Sequence, residues 1–302
     1  MSAAAKRPTA TLAVGGVEIA LSNPDKLLWP KEGITKLLYV QKLAALSPYL
    51  LRHCANRYLT TIRYPDGITG KSFYQKSCPQ PRPDYVHTMA NEGIDYVHLN
   101  SLAALMWLGN RASLEFHISF EQTDNPDYPS EWVLDLDPFR DEEPRIMEAA
   151  SIVGELLESL HIKSIPKTSG ATGVQIIVPL NRQLTFEQLR AAGQFIGEYL
   201  SKAHPRLFTV ERFVKNRGDL IYVDYLQHYR GKSIAAPYTP RAREGAPVST
   251  PLTWDEVRRG CTPKQFHLLN IEQRLLEKGD LLAGSLPPQN VGTIISFINK
   301  RP

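Results

Sequence analysis

The chain has 302 residues, of which 42% are hydrophobic and 22% are charged, a composition typical of globular proteins. Lysine and arginine number 35 against 31 aspartates and glutamates, so the net charge of +4 permits a nucleic-acid partner without indicating one. No Cys/His cluster has zinc spacing, no run of about 18 apolar residues could cross a membrane, and residues 1–16 lack the apolar core of a signal peptide, so we expect a cytoplasmic protein without a membrane partner.

Hydrophobic periodicity and turn residues predict interleaved strands and helices along the whole chain. The first half predicts a hairpin over 10–21, a polar loop over 22–35, a helix from Thr35 to about His53, strands at about 58–64 and 71–76, a proline-rich loop at 79–83, a helix from Ser101 to about Arg111, and a strand at 113–120. The second half predicts a strand ending in DLDP, an amphipathic helix over 142–160, two strands joined by a turn within 163–180, a helix from Thr185 to about His204, strands near 219–225 and 232–236, and a helical remainder with a proline connection at 287–288. Because several strand pairs are joined by short turns, the pattern predicts an α+β fold with mixed or antiparallel sheets.

Two aspartates lie at the end of the apolar strand near 130–137. Residues i and i+2 of a strand face the same side, so Asp135 and Asp137 point together while Leu134 and Leu136 face the core. Two ionised carboxylates this close repel each other, and Mg²⁺ or Mn²⁺ relieves such repulsion because these ions prefer oxygen ligands. The alternative interpretation is a strand end whose two acids are solvated or paired with basic side chains.

A third carboxylate, Asp224, interrupts a later apolar strand. Together with Asp135 and Asp137 it would form a site able to hold two divalent ions about 3.5–4 Å apart, the arrangement used for in-line displacement at phosphorus. An acid at a strand edge, without a metal, is the alternative interpretation for Asp224 taken alone.

The turn KTSGATG, between two predicted strands, is a candidate anion site. Its backbone N–H groups can face an anion such as a triphosphate, although the GxxxxGK[ST] spacing of a P-loop is missing. An ordinary β-turn is the alternative. His117 on a predicted strand is a further candidate, and a core or edge histidine is its alternative.

Basic residues cluster in two other segments. Gln227, Lys232 and Arg241 surround one apolar strand and could clamp phosphates, or they could form a solvated basic edge. Near the N-terminus, basic and polar side chains are interleaved with aromatic ones, which suits contacts to a nucleic-acid backbone together with base stacking. The residues of this second group are Asn23, Lys26, Lys36, Phe73 and Tyr74.

Taken together and in order, the motifs resemble one family. The segments LSNPDKLLWP, GITK, RYPDG, FYQK, LEFH, DLDP, KTSG, YVDY and IAAPYTPR are similar to the polymerase domain of bacterial ATP-dependent DNA ligase D, a member of the archaeo-eukaryotic primase superfamily. The resemblance runs from about residue 18 to the C-terminus. It implies a single primase-polymerase catalytic domain over 1–302, with two mixed or antiparallel sheets flanked by helices. Within it, about 1–110 would carry DNA-end contacts, about 111–245 the catalytic core, and the C-terminal part would be helical.

The resemblance also implies roles for individual residues. Asp135, Asp137 and Asp224 would be the catalytic metal-binding triad, and His117, Ser169, Gly170, Gln227, Lys232 and Arg241 would line the triphosphate. Asn23, Lys26 and Lys36 match residues that hold a 5′-phosphate at a gap or overhang, Phe73 and Tyr74 match a stacking pair, and Arg217 matches an arginine of a mobile loop near the active site.

Two departures from the family pattern concern charge. Many relatives carry Lys and His in the turn, where this chain has Thr172 and Gln175. The triphosphate charge would then rest more on the metals, on backbone amides and on Lys232 or Arg241, because a glutamine can donate a hydrogen bond but supplies no charge. Ile62 stands where some relatives place a lysine before the arginine of RYPDG.

The function implied by the resemblance is nucleotide addition to 3′-OH ends at DNA gaps and breaks during non-homologous end joining, with a preference for ribonucleotides and two Mn²⁺ or Mg²⁺ ions as cofactors. The implied partners are gapped or 3′-overhang DNA ends with a 5′-phosphate, NTP or dNTP, Ku and a DNA ligase, in a nucleoid-associated cytoplasmic location. An alternative is a DNA-end-binding or bridging module with weak or lost catalysis. A glycosyltransferase with a DxD motif is a further alternative, but it accounts neither for Asp224 nor for the N-terminal lysines and the order of the motifs.

Overall fold

The computed structural model describes residues 9–284 and 286–300, and its elements alternate between strands and helices. The elements up to residue 137 are β1 (Thr9–Val14), β2 (Val17–Ser22), β3 (Leu27–Trp29), β4 (Ile34–Thr35), α1 (Lys36–Cys54), β5 (Leu59–Arg63), β6 (Phe73–Gln75), β7 (Thr88–Asn91), β8 (Ile94–Val97), α2 (Leu102–Asn110), β9 (Ser113–Ser119), β10 (Glu121–Gln122), β11 (Asn125–Pro129) and β12 (Glu131–Asp137). The later elements are α3 (Ile146–Ser159), β13 (Ile165–Thr168), β14 (Val174–Pro179), α4 (Phe186–Ala203), β15 (Phe208–Thr209), β16 (Ile221–Asp224), β17 (Ser233–Ala235), α5 (Trp254–Arg258), α6 (Ile271–Lys278) and α7 (Gly292–Asn299).

Two sheets form the centre of the fold. The four-stranded sheet has the order β17-β9-β5-β6 and is antiparallel throughout. The five-stranded sheet has the order β13-β14-β12-β16-β15, in which only the β15–β16 pair is parallel. The predicted α+β class with mixed or antiparallel sheets is therefore confirmed, and helices flank both sheets.

Each sheet packs its apolar face against helices. Leu43 of α1 and Leu105 of α2 share one core with Phe116 of the four-stranded sheet, whereas Leu134 of β12 lies in a second core with helices α3 and α4. Val133 belongs to the first core, although it is the neighbour of Leu134 on β12. Because successive strand residues alternate between faces, the odd-numbered face of β12 is turned toward the four-stranded sheet.

Most of the predicted elements are confirmed, with caps where the sequence indicated them. The Thr35 side chain caps α1, the Ser101 side chain caps α2, and Thr185 with Gln188 forms the predicted capping box of α4. The hairpin of β1 and β2 turns at Gly15 and Gly16, both at positive φ, as the glycine pair predicted.

Two boundaries differ from the prediction, and the predicted helical remainder is wrong in part, since the described chain forms no helix between β17 and α5. The predicted loop over 22–35 is wrong in part, since β3 and β4 pair within it; strands of two or three residues are too short to show a periodic pattern. The helix predicted over 142–160 begins only at Ile146. Glu143 precedes a proline, and the proline ring disfavours helical backbone angles in the residue before it.

One hairpin was missed. β7 and β8 pair around Glu92 and Gly93, which have φ of 49° and 78°. A two-residue turn with positive φ at both positions is typical of hairpins, so Gly93 is the residue from which this hairpin could have been predicted. The short strands β10, β11 and β15 were also not predicted.

Within the described ranges, none of the helices has both the length and the apolar character that crossing a bilayer requires. The prediction of no signal peptide over 1–16 falls partly on residues 1–8, which lie outside the described residues, as do the two ends of the predicted 1–302 domain.

Candidate active site

Three carboxylates are brought to one face of the five-stranded sheet. Asp135 of β12 lies directly opposite Asp224 of β16, and Asp137 lies opposite Tyr222 in the same antiparallel ladder. Asp135 and Asp137 share the face of β12 that is turned toward the four-stranded sheet, while their even-numbered neighbours pack in the helical core. The strand register therefore brings Asp224, which the sequence grouped with these two aspartates, directly opposite Asp135.

Burial and mutual repulsion disfavour the ionised form of two of these three carboxylates. Asp135 is 3% exposed; its Oδ2 accepts a hydrogen bond from Nε2 of Gln227 at 3.0 Å, whereas its Oδ1 is buried without a partner. Burial, together with the charge of Asp224, raises the pKa of Asp135 to about 6. Burial and repulsion by the other two carboxylates raise the pKa of Asp137 to about 8. A divalent cation would reverse both shifts, so the donor set fits such an ion.

The carboxylate of Asp224 is hydrogen-bonded to residues of its own strand and of the turn that follows it. Its Oδ1 accepts hydrogen bonds from the backbone N of Leu226 at 2.9 Å and from the hydroxyl of Tyr222 at 3.2 Å, and Asp224 thereby caps a single 3-10 turn. Among residues 9–284 and 286–300, no group of three or more His, Cys, Asp or Glu side chains is gathered as a metal site. The metal-binding triad thus stays a prediction.

The turn between β13 and β14 is closed by its own serine. Oγ of Ser169 accepts hydrogen bonds from the backbone N of Ala171 and of Gly173, both at 3.1 Å, so these two amides point into the turn. The amides of Gly170 and Thr172 have no backbone hydrogen-bond partner among the described residues, and Thr172 is partly exposed whereas Gly170 is buried.

Glycine is required twice in this turn. Gly170 has φ of 69°, and a Cβ there would lie 2.6 Å from Cγ of Arg241. A Cβ on Gly173 would lie 2.4 Å from the backbone oxygen of Leu136, beside Asp137. The turn therefore packs directly against the strand that carries the two aspartates.

Gln175 lies beneath the turn rather than on its surface. It is 4% exposed and sits opposite Asp135 on the neighbouring strand. Its Oε1 accepts a hydrogen bond of 2.6 Å from Nζ of Lys167, which is opposite Gln175 on β13 and 1% exposed. Lys167 belongs to the KTSG motif, but sequence reasoning missed it, because nothing local shows that a strand lysine is buried.

His117 and Arg241 share a buried carboxylate that was also missed, Glu115. Oε2 of Glu115 lies 2.9 Å from Nε2 of His117 and 2.8 Å from Nε of Arg241, and its Oε1 accepts from the backbone N of Ala242. Burial alone would raise the pKa of Glu115, but these partners hold it at about 2. Arg241 also donates to the backbone oxygen of Ser169 at 2.5 Å, which ties this cluster to the turn. The i, i+2 spacing of Glu115 and His117 in LEFH places both side chains on one strand face, and Glu115 could have been predicted from it.

The remaining predicted phosphate ligands lie on the other flank of the carboxylates. A cavity of about 380 Å³ is lined by Arg212, Arg217, Tyr222, Asp224, Leu226, Tyr229 and Lys232. The Arg217 guanidinium stacks 3.9 Å from the centre of the Tyr222 ring, and Nζ of Lys232 donates to the backbone oxygen of Leu226 at 2.7 Å. The side chains predicted to line the triphosphate therefore lie in two places. Arg241 and His117 lie beside the turn, whereas Lys232 lies beside Arg217.

The three residues predicted to hold a 5′-phosphate are adjacent near the start of α1. Lys26 is hydrogen-bonded through its backbone to both Asn23 and Lys36, and its Nζ pairs with Asp66 at 2.7 Å. Nζ of Lys36 is buried and donates only to the neutral oxygens of Ser22 and Asn110. Burial and the nearby Lys26 lower the pKa of Lys36 to about 8, as expected of an ammonium group that lacks a counter-charge.

Phe73 and Tyr74 lie on β6, at the edge of the four-stranded sheet. Phe73 is 43% exposed and Tyr74 is 74% exposed, and the Arg63 guanidinium lies 5.0 Å from the centre of the Phe73 ring. Because neighbouring strand residues point to opposite faces, the two rings do not form one continuous platform. Each offers a separate exposed surface.

Comparison with known proteins identifies close similarity to one family. The family model described as LigD, primase-polymerase domain, matches residues 35–282. The bifunctional non-homologous end joining protein LigD of Bacillus subtilis is 39% identical over 264 residues, which are 87% of this chain and 43% of that protein. The multifunctional non-homologous end joining protein LigD of Pseudomonas aeruginosa is 34% identical over 286 residues, 91% of this chain and 33% of that protein. The chain thus spans less than half the length of these relatives.

A solved structure shows the same fold. The polymerase domain from Mycobacterium tuberculosis ligase D, in complex with DNA, superimposes with a TM-score of 0.79 at 27% identity. The match covers 87% of this chain and 96% of that one. The family resemblance and the primase-like fold expected from the sequence are therefore confirmed.

Proposed function

The chain belongs to the LigD primase-polymerase domain family, and we propose on that premise that it is a DNA-end-directed nucleotidyltransferase. It adds nucleotides, preferentially ribonucleotides, to 3′-OH ends at gaps and breaks during non-homologous end joining. Its partners in this proposal are gapped or 3′-overhang DNA with a 5′-phosphate, NTP or dNTP, Ku and a DNA ligase. The names of the LigD relatives and the DNA complex of the structural neighbour support it.

One observation carries the proposal: three neighbouring carboxylates, one of them buried, have cationic side chains on two sides. Asp135 and Asp137 share a strand face with Asp224 opposite. Arg241 stands on the side of the turn, and Arg217 stands on the side of the cavity. Cationic side chains on both sides suit a site that joins a nucleoside triphosphate to a DNA strand, because both substrates are polyanions.

Two divalent ions, Mn²⁺ or Mg²⁺, fit the carboxylate group, since Oδ1 of Asp135 is buried without a partner and the carboxylates repel one another. Asp135, Asp137 and Asp224 would hold them. When bound, such ions would neutralise charge on the triphosphate and favour ionisation of the 3′-hydroxyl.

The chain's own residues bind and orient the substrates. Arg241 and His117, anchored by Glu115, contribute donors beside the turn, where the triphosphate would lie. No side chain acts as a nucleophile in this proposal, because the attacking group is the 3′-hydroxyl of the DNA strand. Lys26 and Lys36 would bind the 5′-phosphate on the far side of the gap.

Primer extension on a gapped duplex tests the proposal. The wild-type protein, supplied with Mn²⁺, should extend the 3′-end into the gap, more efficiently with ribonucleotides than with deoxyribonucleotides and more efficiently with a 5′-phosphate than with a 5′-hydroxyl. Asp137→Ala should abolish extension while DNA binding, measured by fluorescence anisotropy, is largely retained. Extension that survives Asp137→Ala would contradict the assignment of the carboxylates.

A second candidate function is a DNA-end-binding or bridging module with weak or lost catalysis. Two observations favour it: the turn carries Thr172 and Gln175, where the family resemblance implies Lys and His, and the Asp224 carboxylate is hydrogen-bonded to Leu226 and Tyr222. The same assay separates the two functions. Binding that depends on the 5′-phosphate, without extension under any nucleotide condition, would support the binding module.

A further inference from the structure

Lys167 occupies an unusual place for a lysine. It lies in the middle of the five-stranded sheet's edge strand β13 and is 1% exposed. No carboxylate pairs with it among the described residues. Removing an ammonium group from water is costly, and a sheet position of this kind is ordinarily filled by an apolar side chain. The hydrogen bonds of Lys167 must therefore offset the free-energy cost of its desolvation.

Four oxygens surround Nζ of Lys167. They belong to the side chain of Gln175 at 2.6 Å, the side chain of Ser249 at 2.5 Å, and the backbones of Ala235 and Thr168 at 3.2 and 3.4 Å. Ser249 and Ala235 lie outside the five-stranded sheet, so these two contacts tether it to neighbouring structure. Only the Gln175 contact leads toward the carboxylates.

Lys167, Gln175, Asp135 and Asp224 form one row across four adjacent strands. The register places Lys167 opposite Gln175, Gln175 opposite Asp135, and Asp135 opposite Asp224, so all four side chains share one face. An ammonium group has only donors, so the amide oxygen of Gln175 is the atom that faces Lys167. The NH₂ group of Gln175 is then directed to the other side, toward Asp135 on the neighbouring strand.

We propose that Lys167 is a positioning residue, which fixes the orientation of the Gln175 amide so that Gln175 donates toward Asp135 and holds that carboxylate in place to bind a divalent cation. Without Lys167 the amide can turn over, and its oxygen would then face a carboxylate and repel it. The inference deepens the proposed function and rests on it, since it assumes that Asp135 binds the ion.

If Lys167 orients Gln175, removing it changes cation affinity in the opposite direction from what a purely electrostatic role predicts. If Lys167 acted only through its positive charge, removing that charge would strengthen the binding of a cation nearby. If it acts by orienting Gln175, removing it weakens the binding, and it does so only while Gln175 is present. Mutation of residues that orient metal ligands typically lowers metal affinity by about 10–100-fold.

A double-mutant cycle tests this with Mn²⁺ alone as the probe. Lys167→Met, Gln175→Leu and the double variant are titrated with Mn²⁺ by following thermal unfolding, and gap extension gives kcat and KM as a second measurement. Lys163→Met, an exposed lysine near the start of the same strand, is the matched control for loss of one charge. Each single variant should lower the apparent Mn²⁺ affinity about tenfold, and the double variant should lower it no further.

Several outcomes would overturn the inference: an affinity that is unchanged or increased in Lys167→Met, an Lys167→Met effect of the same size in the Gln175→Leu background, or a wild-type protein without any Mn²⁺-dependent shift. If Lys167→Met does not fold, Lys167→Gln serves instead. It keeps a donor that can face the Gln175 oxygen but removes the charge, so it should bind Mn²⁺ at least as tightly as the wild-type protein; weakened binding would refute the orienting role.

Different experimental results would contradict the polymerase function and the positioning role of Lys167. If wild-type protein binds Mn²⁺ with the expected coupling but extends no primer, the polymerase function is wrong and the role of Lys167 stands. If wild-type protein extends primers and Lys167→Met matches it in metal affinity and kcat, the role of Lys167 is wrong and the polymerase function stands.

Discussion

Replacing Glu115 by Gln removes a charge on which three donors depend. The Glu115 carboxylate accepts from His117, from the Arg241 guanidinium and from the backbone N of Ala242 at 2.8–2.9 Å. A glutamine keeps one acceptor oxygen but directs an NH₂ group at a remaining donor, and it leaves Arg241 without a counter-charge. Glu115→Gln should therefore lower both the stability of the fold and the affinity for nucleotide.

The magnitude follows from the pKa of Glu115. Burial would raise this pKa, yet the hydrogen bond and charge of His117 and Arg241 lower it from its ordinary 4.5 to about 2. At ~1.36 kcal/mol per pKa unit, this shift corresponds to about 3 kcal/mol in favour of the folded state at neutral pH. Because the folded pKa is depressed, the contribution is fully present above pH 4.5 and is lost as the pH falls toward about 2.

Urea denaturation of the wild-type protein and of Glu115→Gln at a series of pH values measures this contribution. The wild-type protein should be more stable by about 3 kcal/mol near pH 7, and the difference should shrink below about pH 4.5 because protonated Glu115 resembles glutamine. Glu244→Gln, whose exposed carboxylate pairs with Lys31, is a control that should lose no measurable stability. A difference that is independent of pH would refute the argument.

Three further predictions concern the carboxylates, the DNA end and the turn. Asp137→Asn should raise the melting temperature of metal-free protein by an amount that grows between pH 3.8 and about 8, since burial and repulsion raise the pKa of Asp137; a gain that shrinks with pH in differential scanning calorimetry would contradict this. Lys26→Ala should reduce the preference for 5′-phosphorylated over 5′-hydroxyl gapped DNA in anisotropy measurements, whereas Lys31→Ala should preserve it; equal preference in the two variants would be the contrary result. Gly173→Ala should cost about 2–3 kcal/mol in urea denaturation because its Cβ would meet a backbone oxygen at 2.4 Å, and Thr172→Ala in the same turn should cost little; a stable Gly173→Ala would show that the turn can move off β12.

Much of the secondary structure could be predicted because its signals are local. The caps of α1, α2 and α4 lie within a few residues of the helices they begin, and the glycine pair at 15–16 lies inside its own hairpin. The short strands β3, β4 and β15 could not be predicted in the same way. Two or three residues show no period, so neither β3 and β4, which pair with each other, nor β15, which pairs with β16, gives a periodic signal.

The candidate site was predictable to the extent that its residues carry family motifs or share one strand. The pairing of Asp135 with Asp137 follows from the two-residue period of a strand, and the resemblance placed Asp224 and Arg241 beside them. The surroundings of these residues were not predictable. That Asp224 binds the backbone of Leu226, and that Lys232 lies on the flank of Arg217, depends on loop conformations with no periodic signal.

By itself, the sequence determined the α+β class, the family, and the two aspartates that share a strand face, because strand alternation and ordered motifs are properties of short segments. Only the tertiary structure decided which buried groups support them. Glu115 meets Arg241 and Lys167 meets Ser249 across 126 and 82 residues of chain. Such contacts arise from the register between strands and from the packing of one sheet against its neighbours, and no local pattern encodes either.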